Sequence, residues 1–156
     1  MIDSPLSNDG ADIKKVAEST GFFSQEEVDC VAELWQDYLE KGAAGSGYYF
    51  LVDRQDSKLR GFACFGPRAL TEGTYDLFWI AVDKAFQGQG VGKALMHEAE
   101  QEIKRLGGRL VIVETSGQPK YEPTRAFYHA AGYTHEATLK NFYHEGDDLV
   151  IFTRKL

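Results

Sequence analysis

The sequence lacks the features that mark several large protein classes. It has no hydrophobic run long enough to span a membrane, and no signal peptide opens the chain. Basic residues are outnumbered, with 17 Lys and Arg against 24 Asp and Glu and a net charge of −7. This balance argues against nucleic acid as the main partner, because a phosphate backbone favours a basic face. We therefore expect a cytoplasmic protein that binds neither a membrane nor nucleic acid.

Cysteine is also scarce. The two cysteines, Cys30 and Cys64, each lie within an apolar pattern, and we expect both to be reduced thiols in or near the core rather than a disulfide. The four histidines, at positions 97, 129, 135 and 144, form no metal-binding spacing with them. The sequence therefore predicts no metal site.

Internal repeats and low-complexity tracts are absent as well. A chain of 156 residues is long enough to bury a core of its own. We expect residues 1–156 to form a single domain in which residues 1–10 lie loosely, because that segment is polar and contains Pro5 and Gly10.

Hydrophobic periodicity and turn residues predict the element order α α β β β α β α β β. A capping box, Ser24 with Glu27, marks the start of the second helix, whose apolar stripe places Trp35 in the core. The strand at 110–115 is nearly all aliphatic, which predicts burial on both faces. The alternation favours an α/β fold with a mixed sheet and helices on both faces. The predicted helices are 11–19, 24 to about 41, 91–106 and 123–131, and the predicted strands are 48–53, 59–65, 74–82, 110–115, 133–140 and 149–154.

The most informative segment lies between the third strand and the third helix. Gly88, Gly90 and Gly92 fall within five residues there. The N–H groups at a helix start have no intrahelical partner and bind anions, and glycine lets the backbone close on a phosphate without a Cβ in the way. A plain strand-to-helix turn is the alternative reading, but such a turn rarely needs three glycines.

Spacing excludes two common phosphate-binding loops. A P-loop needs Gly five residues before its Gly-Lys pair and Ser or Thr after it, whereas this chain has Gln87 and Ala94. A dinucleotide fingerprint needs Gly where this chain has Lys93. The remaining pattern, Gln-x-x-Gly-x-Gly ending in Gly90 and Gly92, resembles the acyl-CoA pyrophosphate loop of the GNAT superfamily of N-acetyltransferases.

The resemblance covers about residues 13–155 and implies a GNAT-type acyl-CoA N-acyltransferase fold with a mostly antiparallel, twisted central sheet. The chain departs from the family at its front. The family usually opens with a strand, whereas Ser4 and Pro5 make the first six residues a poor strand. The resemblance also leaves open a homodimer formed through the last strands, since many relatives are dimers.

The resemblance implies acetyl-CoA as the cosubstrate. The strand before the loop would hold the thioester and pantetheine through its backbone, and the loop amides would hold the pyrophosphate. Lys93 could add a cation, although a solvated helix lysine explains its side chain slightly better. Relatives often carry Asn in place of Tyr121, which leaves that contact open. The expected cofactor-binding residues are Ile80, Ala81, Val82, Gln87, Gly88, Gln89, Gly90, Val91, Gly92, Lys93 and Tyr121.

Tyr128 holds the place of the family's aromatic residue that faces the CoA sulfur, within Phe127-Tyr128 of the last predicted helix. A thiol titrates near ~8.5 and a tyrosine near ~10, so full proton transfer to the thiolate would be uphill by roughly 2 kcal/mol in model compounds. We therefore expect a hydrogen bond that steadies the leaving sulfur. A core tyrosine that packs on the sheet is the alternative.

The sequence offers two candidate carboxylates for the base that accepts the amine proton and does not decide between them. An alkylamine with a pKa of about 10.4 is protonated at pH 7, and exposing its lone pair costs roughly 4.6 kcal/mol. Asp76 lies six residues before Val82, where several relatives place an acidic base, and Glu114 on the neighbouring strand is its rival. Asp76 would need burial, or a water chain, to act as a base. Either residue could instead be a charge at a strand end that faces water.

These features together predict an enzyme, an acetyl-CoA-dependent N-acetyltransferase in which a primary amine attacks directly in a ternary complex. The sequence does not choose among small-molecule amines and the amines of peptides or proteins. The alternative is a non-catalytic acyl-CoA-binding sensor or subunit on the same fold, because its phosphate loop would look the same.

Overall fold

The computed structural model describes all residues, 1–156, and contains four helices and seven strands. None of the four helices combines the length and the apolar character that a membrane span requires. The elements are β1 (Ile2–Asp3), α1 (Gly10–Ser19), α2 (Gln25–Ser46), β2 (Tyr49–Gln55), β3 (Lys58–Pro67), β4 (Thr74–Val82), α3 (Val91–Arg105), β5 (Leu110–Ser116), α4 (Glu122–Ala130), β6 (Thr134–His144) and β7 (Asp147–Lys155).

The chain divides into two compact units. The first unit comprises Met1–Gly66 and Leu77–Glu102. Its strands follow the order β1-β2-β3-β4, with antiparallel pairing of β1 to β2 and of β2 to β3. Helices α1 and α2 supply apolar side chains to its core, where Ile13 and Val31 are at most 1% exposed. Trp35 belongs to this core, as predicted.

The second unit comprises Pro67–Asp76 and Ile103–Leu156, and its strands follow the order β4-β5-β7-β6. β5 pairs in parallel with the first three residues of β4, whereas β7 pairs antiparallel with both β5 and β6. Parallel and antiparallel pairs together make the sheet mixed, which confirms the predicted α/β class. The core of this unit includes Val111, Val113 and Phe152.

The chain opens with a short strand that the sequence did not assign. Ile2 and Asp3 form β1 on β2. The Met1 ammonium donates hydrogen bonds to the Asp53 carboxylate at 3.2 Å and to the Arg54 carbonyl oxygen at 2.8 Å. Pro5 lies beyond the paired residues, so its missing N–H interrupts no ladder bond. Two residues carry no periodic pattern, which is why sequence reasoning missed this strand.

Glycines determine where α2 ends. The capping box between Ser24 and Glu27 is present, as predicted. Gly42 has non-helical angles, φ 72° and ψ 177°, so the helix is interrupted there as the sequence indicated. The chain then resumes helical geometry to Ser46, and Gly47 ends it in the left-handed conformation with φ 76°. The predicted end near residue 41 therefore matches the kink at Gly42, while the short helical segment that continues to Ser46 was not predicted.

The hairpin turns are shorter than predicted. Asp56 and Ser57 both have positive φ, 49° and 62°, and form a two-residue turn between β2 and β3. The last hairpin also turns in two residues, Glu145 and Gly146, the second with φ 86°. Left-handed angles in such turns match the twist of the flanking strands, so the strands extend right up to the turn.

Two burial predictions were wrong. β5 buries one face, whereas Glu114 on the other face is exposed and Ile112 is half-buried. Cys30 is exposed because the core stripe of α2 runs through other positions, including Val31, while Cys64 is buried as predicted. Both thiols are free. No cluster of three or more His, Cys, Asp or Glu side chains is arranged to hold a metal ion.

Candidate active site

One backbone edge of β4 is without a strand partner over the half that leads into the glycine loop. β4 pairs with β5 through Thr74, Tyr75 and Asp76 and no further. Residues 80–82 lie beyond the last of these pairs. An unpaired strand edge presents N–H and C=O groups that can bind the amides of an extended ligand. The strand segment predicted to hold pantetheine therefore has an open backbone edge, apart from the Val82 carbonyl oxygen, which accepts a hydrogen bond from the Gln87 side chain.

The residues after β4 form a tight, hydrogen-bonded turn. The Asp83 carboxylate accepts a hydrogen bond from the Ala85 N–H at 2.8 Å and caps a single 3₁₀ turn over Lys84–Phe86. The Gln87 Nε2 then donates to the Val82 carbonyl oxygen at 3.2 Å. The Gln89 side chain is exposed and donates to the Ala85 carbonyl oxygen at 3.4 Å. These bonds fix the loop relative to the strand that precedes it.

Gly88 and Gly90 give the loop its shape. Both have left-handed backbone angles, with φ 76° and 81°. A Cβ added at either position would meet no atom within 4 Å. The protein therefore needs these glycines for their backbone conformation, since no neighbouring group crowds them. The space in front of the loop is open to a ligand.

The start of α3 presents three backbone donors. The first intrahelical hydrogen bond runs from the Ala94 N–H to the Gly90 carbonyl oxygen at 3.0 Å. The N–H groups of Val91, Gly92 and Lys93 therefore have no carbonyl partner within the helix. They lie at the positive end of the helix dipole, where an anion is stabilised. Together with the open glycine backbone, this arrangement fits a diphosphate, and the exposed Lys93 side chain adds a positive charge.

The two candidate bases lie side by side in the second unit. In the parallel register Asp76 is opposite Ile112, and Glu114 follows two residues later on the same face of β5. A third residue, Arg68, joins them. Its Nη1 donates to Asp76 Oδ1 at 2.7 Å and to Glu114 Oε1 at 3.3 Å. Asp76 and Glu114, the two alternative candidates for the base, therefore belong to one cluster of charged side chains.

Burial raises the pKa of Asp76, and the nearby Glu114 charge raises it further, while the hydrogen bond and charge of Arg68 oppose the shift. The Asp76 side chain is 15% exposed, against 37% for Glu114. Asp76 is therefore partly buried, and burial makes an aspartate a stronger base. Sequence reasoning missed Arg68, because a single arginine in a loop carries no periodic or spacing signal.

Tyr128 lies on α4 with a ring that is 6% exposed. The ring packs against Phe127, Tyr133 and Phe152 at centroid distances of 5.6, 6.0 and 5.8 Å. No protein group forms a hydrogen bond with the Tyr128 hydroxyl. Every fully buried side-chain nitrogen or oxygen atom of the protein has a hydrogen-bond partner, so the Tyr128 hydroxyl oxygen is not fully buried and reaches solvent. Burial raises the pKa of Tyr128 above its ordinary value, so the hydroxyl stays protonated to a higher pH than that of an exposed tyrosine.

Tyr121 immediately precedes α4, at the end of a 3₁₀ turn that begins at Pro119. Its ring is half-buried, and the Lys120 ammonium lies 5.0 Å from the ring centroid. A cation over an aromatic face is attracted by the ring quadrupole. Tyr121 thus presents an aromatic ring with a positive charge close to it.

Comparison with known families places this fold and loop in one class. Residues 15–133 match the model of the acetyltransferase (GNAT) family. The chain belongs to this family, and the predicted resemblance is confirmed. It is 30% identical over 131 residues to an uncharacterized N-acetyltransferase, YjhQ, of Escherichia coli (strain K12). The aligned region covers 80% of this chain and 67% of that protein.

Solved structures agree. A GNAT-family protein from Desulfovibrio desulfuricans is 46% identical with a TM-score of 0.96, covering 99% of this chain and 98% of that one. The paiA N-acetyltransferase of Thermoplasma acidophilum, in complex with coenzyme A, shares the fold with a TM-score of 0.78 at 21% identity, covering 100% and 98% of the two chains. The predicted GNAT fold and the assignment to the acetyltransferase enzymes are therefore confirmed.

Proposed function

We propose that this protein transfers the acetyl group of acetyl-CoA to a primary amine by direct attack in a ternary complex. The observation that carries the proposal is the open loop at the start of α3, where Gly88 and Gly90 leave space and three helix amides lack intrahelical partners. Membership of the GNAT family supports the same cosubstrate. We further propose that residues 1–156 act as one domain and that the reaction takes place in the cytoplasm.

The loop binds the diphosphate of the cosubstrate through backbone amides. Gly88 to Lys93 supply N–H donors and the positive helix end, and the Lys93 ammonium adds charge. The unpaired backbone edge of residues 80–82 binds the pantetheine amides and places donors at the thioester oxygen, where negative charge develops during attack. Bound acetyl-CoA supplies the activated acyl group. Tyr121 contacts the cosubstrate with its ring.

Tyr128 steadies the leaving sulfur. A tyrosine with an ordinary pKa of about 10 is already a neutral donor at pH 7, and burial raises the pKa of Tyr128 further. Its hydroxyl gives a hydrogen bond to the sulfur as negative charge builds there. Full transfer of the tyrosine proton to a thiolate is unfavourable, since even an ordinary tyrosine is a weaker acid than a thiol. The proton that ends on the CoA thiol therefore passes from the amine side of the reaction.

Asp76 accepts the proton that the ammonium form of the acceptor must lose before attack. Its raised pKa makes it a stronger base than an exposed aspartate. Glu114 shares the cluster and lies nearer to water. The state of the two cysteines is consistent with direct attack by the amine. The pKa values of Cys30 and Cys64 are both raised, mainly by burial, so both thiols are protonated and are weak nucleophiles. Neither cysteine is set up to form an acyl-enzyme.

The test has two stages. A thermal-shift titration with acetyl-CoA should raise the melting temperature of the protein. A thiol-release assay should then detect free CoA with at least one member of a panel of amino acids, polyamines, aminoglycosides and peptide amines. Acetyl-CoA binding without thiol release on any amine would instead favour a non-catalytic acyl-CoA-binding sensor or subunit. No binding at all would overturn the loop assignment.

A further inference from the structure

We propose that Arg68 is a positioning residue that holds Asp76 and Glu114 together as one proton-accepting pair. This inference rests on the proposed function only in that the pair serves an amine acceptor. A single nitrogen, Nη1, lies 2.7 Å from Asp76 Oδ1 and 3.3 Å from Glu114 Oε1. The guanidinium therefore bridges two strands, with the shorter contact to the less exposed carboxylate.

The loop that carries Arg68 is held by its own hydrogen bonds. The Arg68 N–H donates to the Thr74 carbonyl oxygen at 2.8 Å, and the Thr71 hydroxyl donates to the Arg68 carbonyl oxygen at 2.8 Å. The Arg68 side chain itself is 44% exposed, so burial does not fix it. Its position depends on the anchored backbone at one end and on the two carboxylates at the other.

The charges around Asp76 show why the bridge matters. Two charged groups act on Asp76: Arg68 from the loop, which favours the carboxylate, and Glu114 from β5, which disfavours it. Two carboxylates this close repel each other, and one of them then retains a proton to a higher pH. Arg68 offsets that repulsion. Without it, the repulsion between the two carboxylates would be unopposed, and the pair would be a poorer proton acceptor at low pH.

A pH profile separates this role from a merely structural one. Arg68→Gln removes the cation, and we expect the acidic limb of kcat/KM to move to higher pH by about 1 pH unit. Arg68→Lys keeps the charge and should return the limb most of the way. Arg109→Gln is the matched control, because the Arg109 Nε donates to the Glu72 carbonyl oxygen of the same loop at 2.6 Å. It removes a loop anchor and should leave the limb unmoved.

A second measurement needs no acceptor amine. Carbon-13 NMR titration of the Asp76 and Glu114 carboxyl groups should show at least one of them titrating at higher pH in Arg68→Gln than in the wild type. Unchanged titrations, or an equal change in Arg109→Gln, would overturn the role of Arg68. If the wild type acetylates no amine, the proposed function fails, while the carboxyl titrations still decide the role of Arg68. If Arg68→Gln does not fold, Arg68→Lys and Arg68→Met replace it. The role is supported if the carboxyl titrations are like the wild type in Arg68→Lys and shifted in Arg68→Met. Unshifted titrations in Arg68→Met would refute it.

Discussion

The Gln87 side-chain amide donates a hydrogen bond to the Val82 carbonyl oxygen over 3.2 Å. This bond connects the first residue of the Gln-x-x-Gly-x-Gly pattern to the last residue of β4. The glutamine side chain is thus engaged within the protein, where it shapes the loop. The anion binding that we propose for the loop depends on backbone amides, which any side chain could accompany, and on glycines, which other residues replace only with strain.

Gln87→Glu should weaken CoA binding. The substitution replaces the amide donor by a carboxylate oxygen, and two acceptors then face each other at the Val82 carbonyl. The loop loses its tie to β4, and negative charge is added near the diphosphate. We expect the Kd for CoA, measured by isothermal titration calorimetry, to rise about tenfold, which corresponds to about 1.4 kcal/mol. Gln101→Glu, an exposed position on α3, makes the same change in charge and should leave the Kd near the wild-type value. Equal effects of both variants would attribute the loss to net charge alone.

Gly90→Glu should abolish CoA binding, because it adds a carboxylate where the diphosphate would lie. Gly107→Glu is the matched control. Gly90 and Gly107 both have left-handed angles, φ 81° and 90°, and a Cβ at either meets no atom within 4 Å. Both variants therefore carry a similar backbone strain of about 1–2 kcal/mol, which thermal unfolding can compare. Calorimetric titration should detect CoA binding to Gly107→Glu alone. Retained affinity in Gly90→Glu would contradict the loop assignment.

Tyr128→Phe should lower turnover far more than affinity. The variant keeps the buried ring and removes the hydroxyl that we assign to the leaving sulfur. We expect kcat to fall about 10²-fold, in the range for loss of one hydrogen-bond donor to developing charge, with the KM for acetyl-CoA nearly unchanged. Tyr133→Phe is the control, since Tyr133 is also buried, at 3% exposure, and its ring centroid lies 6.0 Å from that of Tyr128. A wild-type kcat in Tyr128→Phe would remove Tyr128 from the mechanism.

Tyr128 also predicts a loss of stability in alkaline solution. Because burial raises its pKa above that of the unfolded chain, the native state holds the phenolic proton more tightly. The contribution of Tyr128 to stability is therefore complete below the unfolded pKa of about 10 and is lost as the pH rises above it. Urea unfolding at several pH values above 10 should show a shallower fall in the free energy of unfolding for Tyr128→Phe than for the wild type. Parallel curves would mean that Tyr128 ionises as easily in the folded protein as in the unfolded chain.

Local chemistry predicted much of the fold. The bounds of β4, Thr74–Val82, follow from a strand pattern between a glycine linker and a glycine loop, and the structure reproduces them. The capping box at Ser24 and the start of α3 at Val91 are equally local. The turn between β2 and β3 was predicted too long, over 54–58. The observed two-residue turn requires positive φ at Asp56 and Ser57, and neither residue type indicates positive φ as strongly as glycine does.

The amino acid sequence by itself determined the class of fold and the position of the glycine loop between β4 and α3, because helix periods, caps and glycine spacing are set by residues close together in the chain. Only the tertiary structure decided how the candidate bases are used. Arg68 contacts residues that are 8 and 46 positions away, and the separation of charges in space, not along the chain, sets their proton affinity. The short strand β1 was decided in the same way, since its hydrogen-bonding partner lies about fifty residues further on, at Asp53.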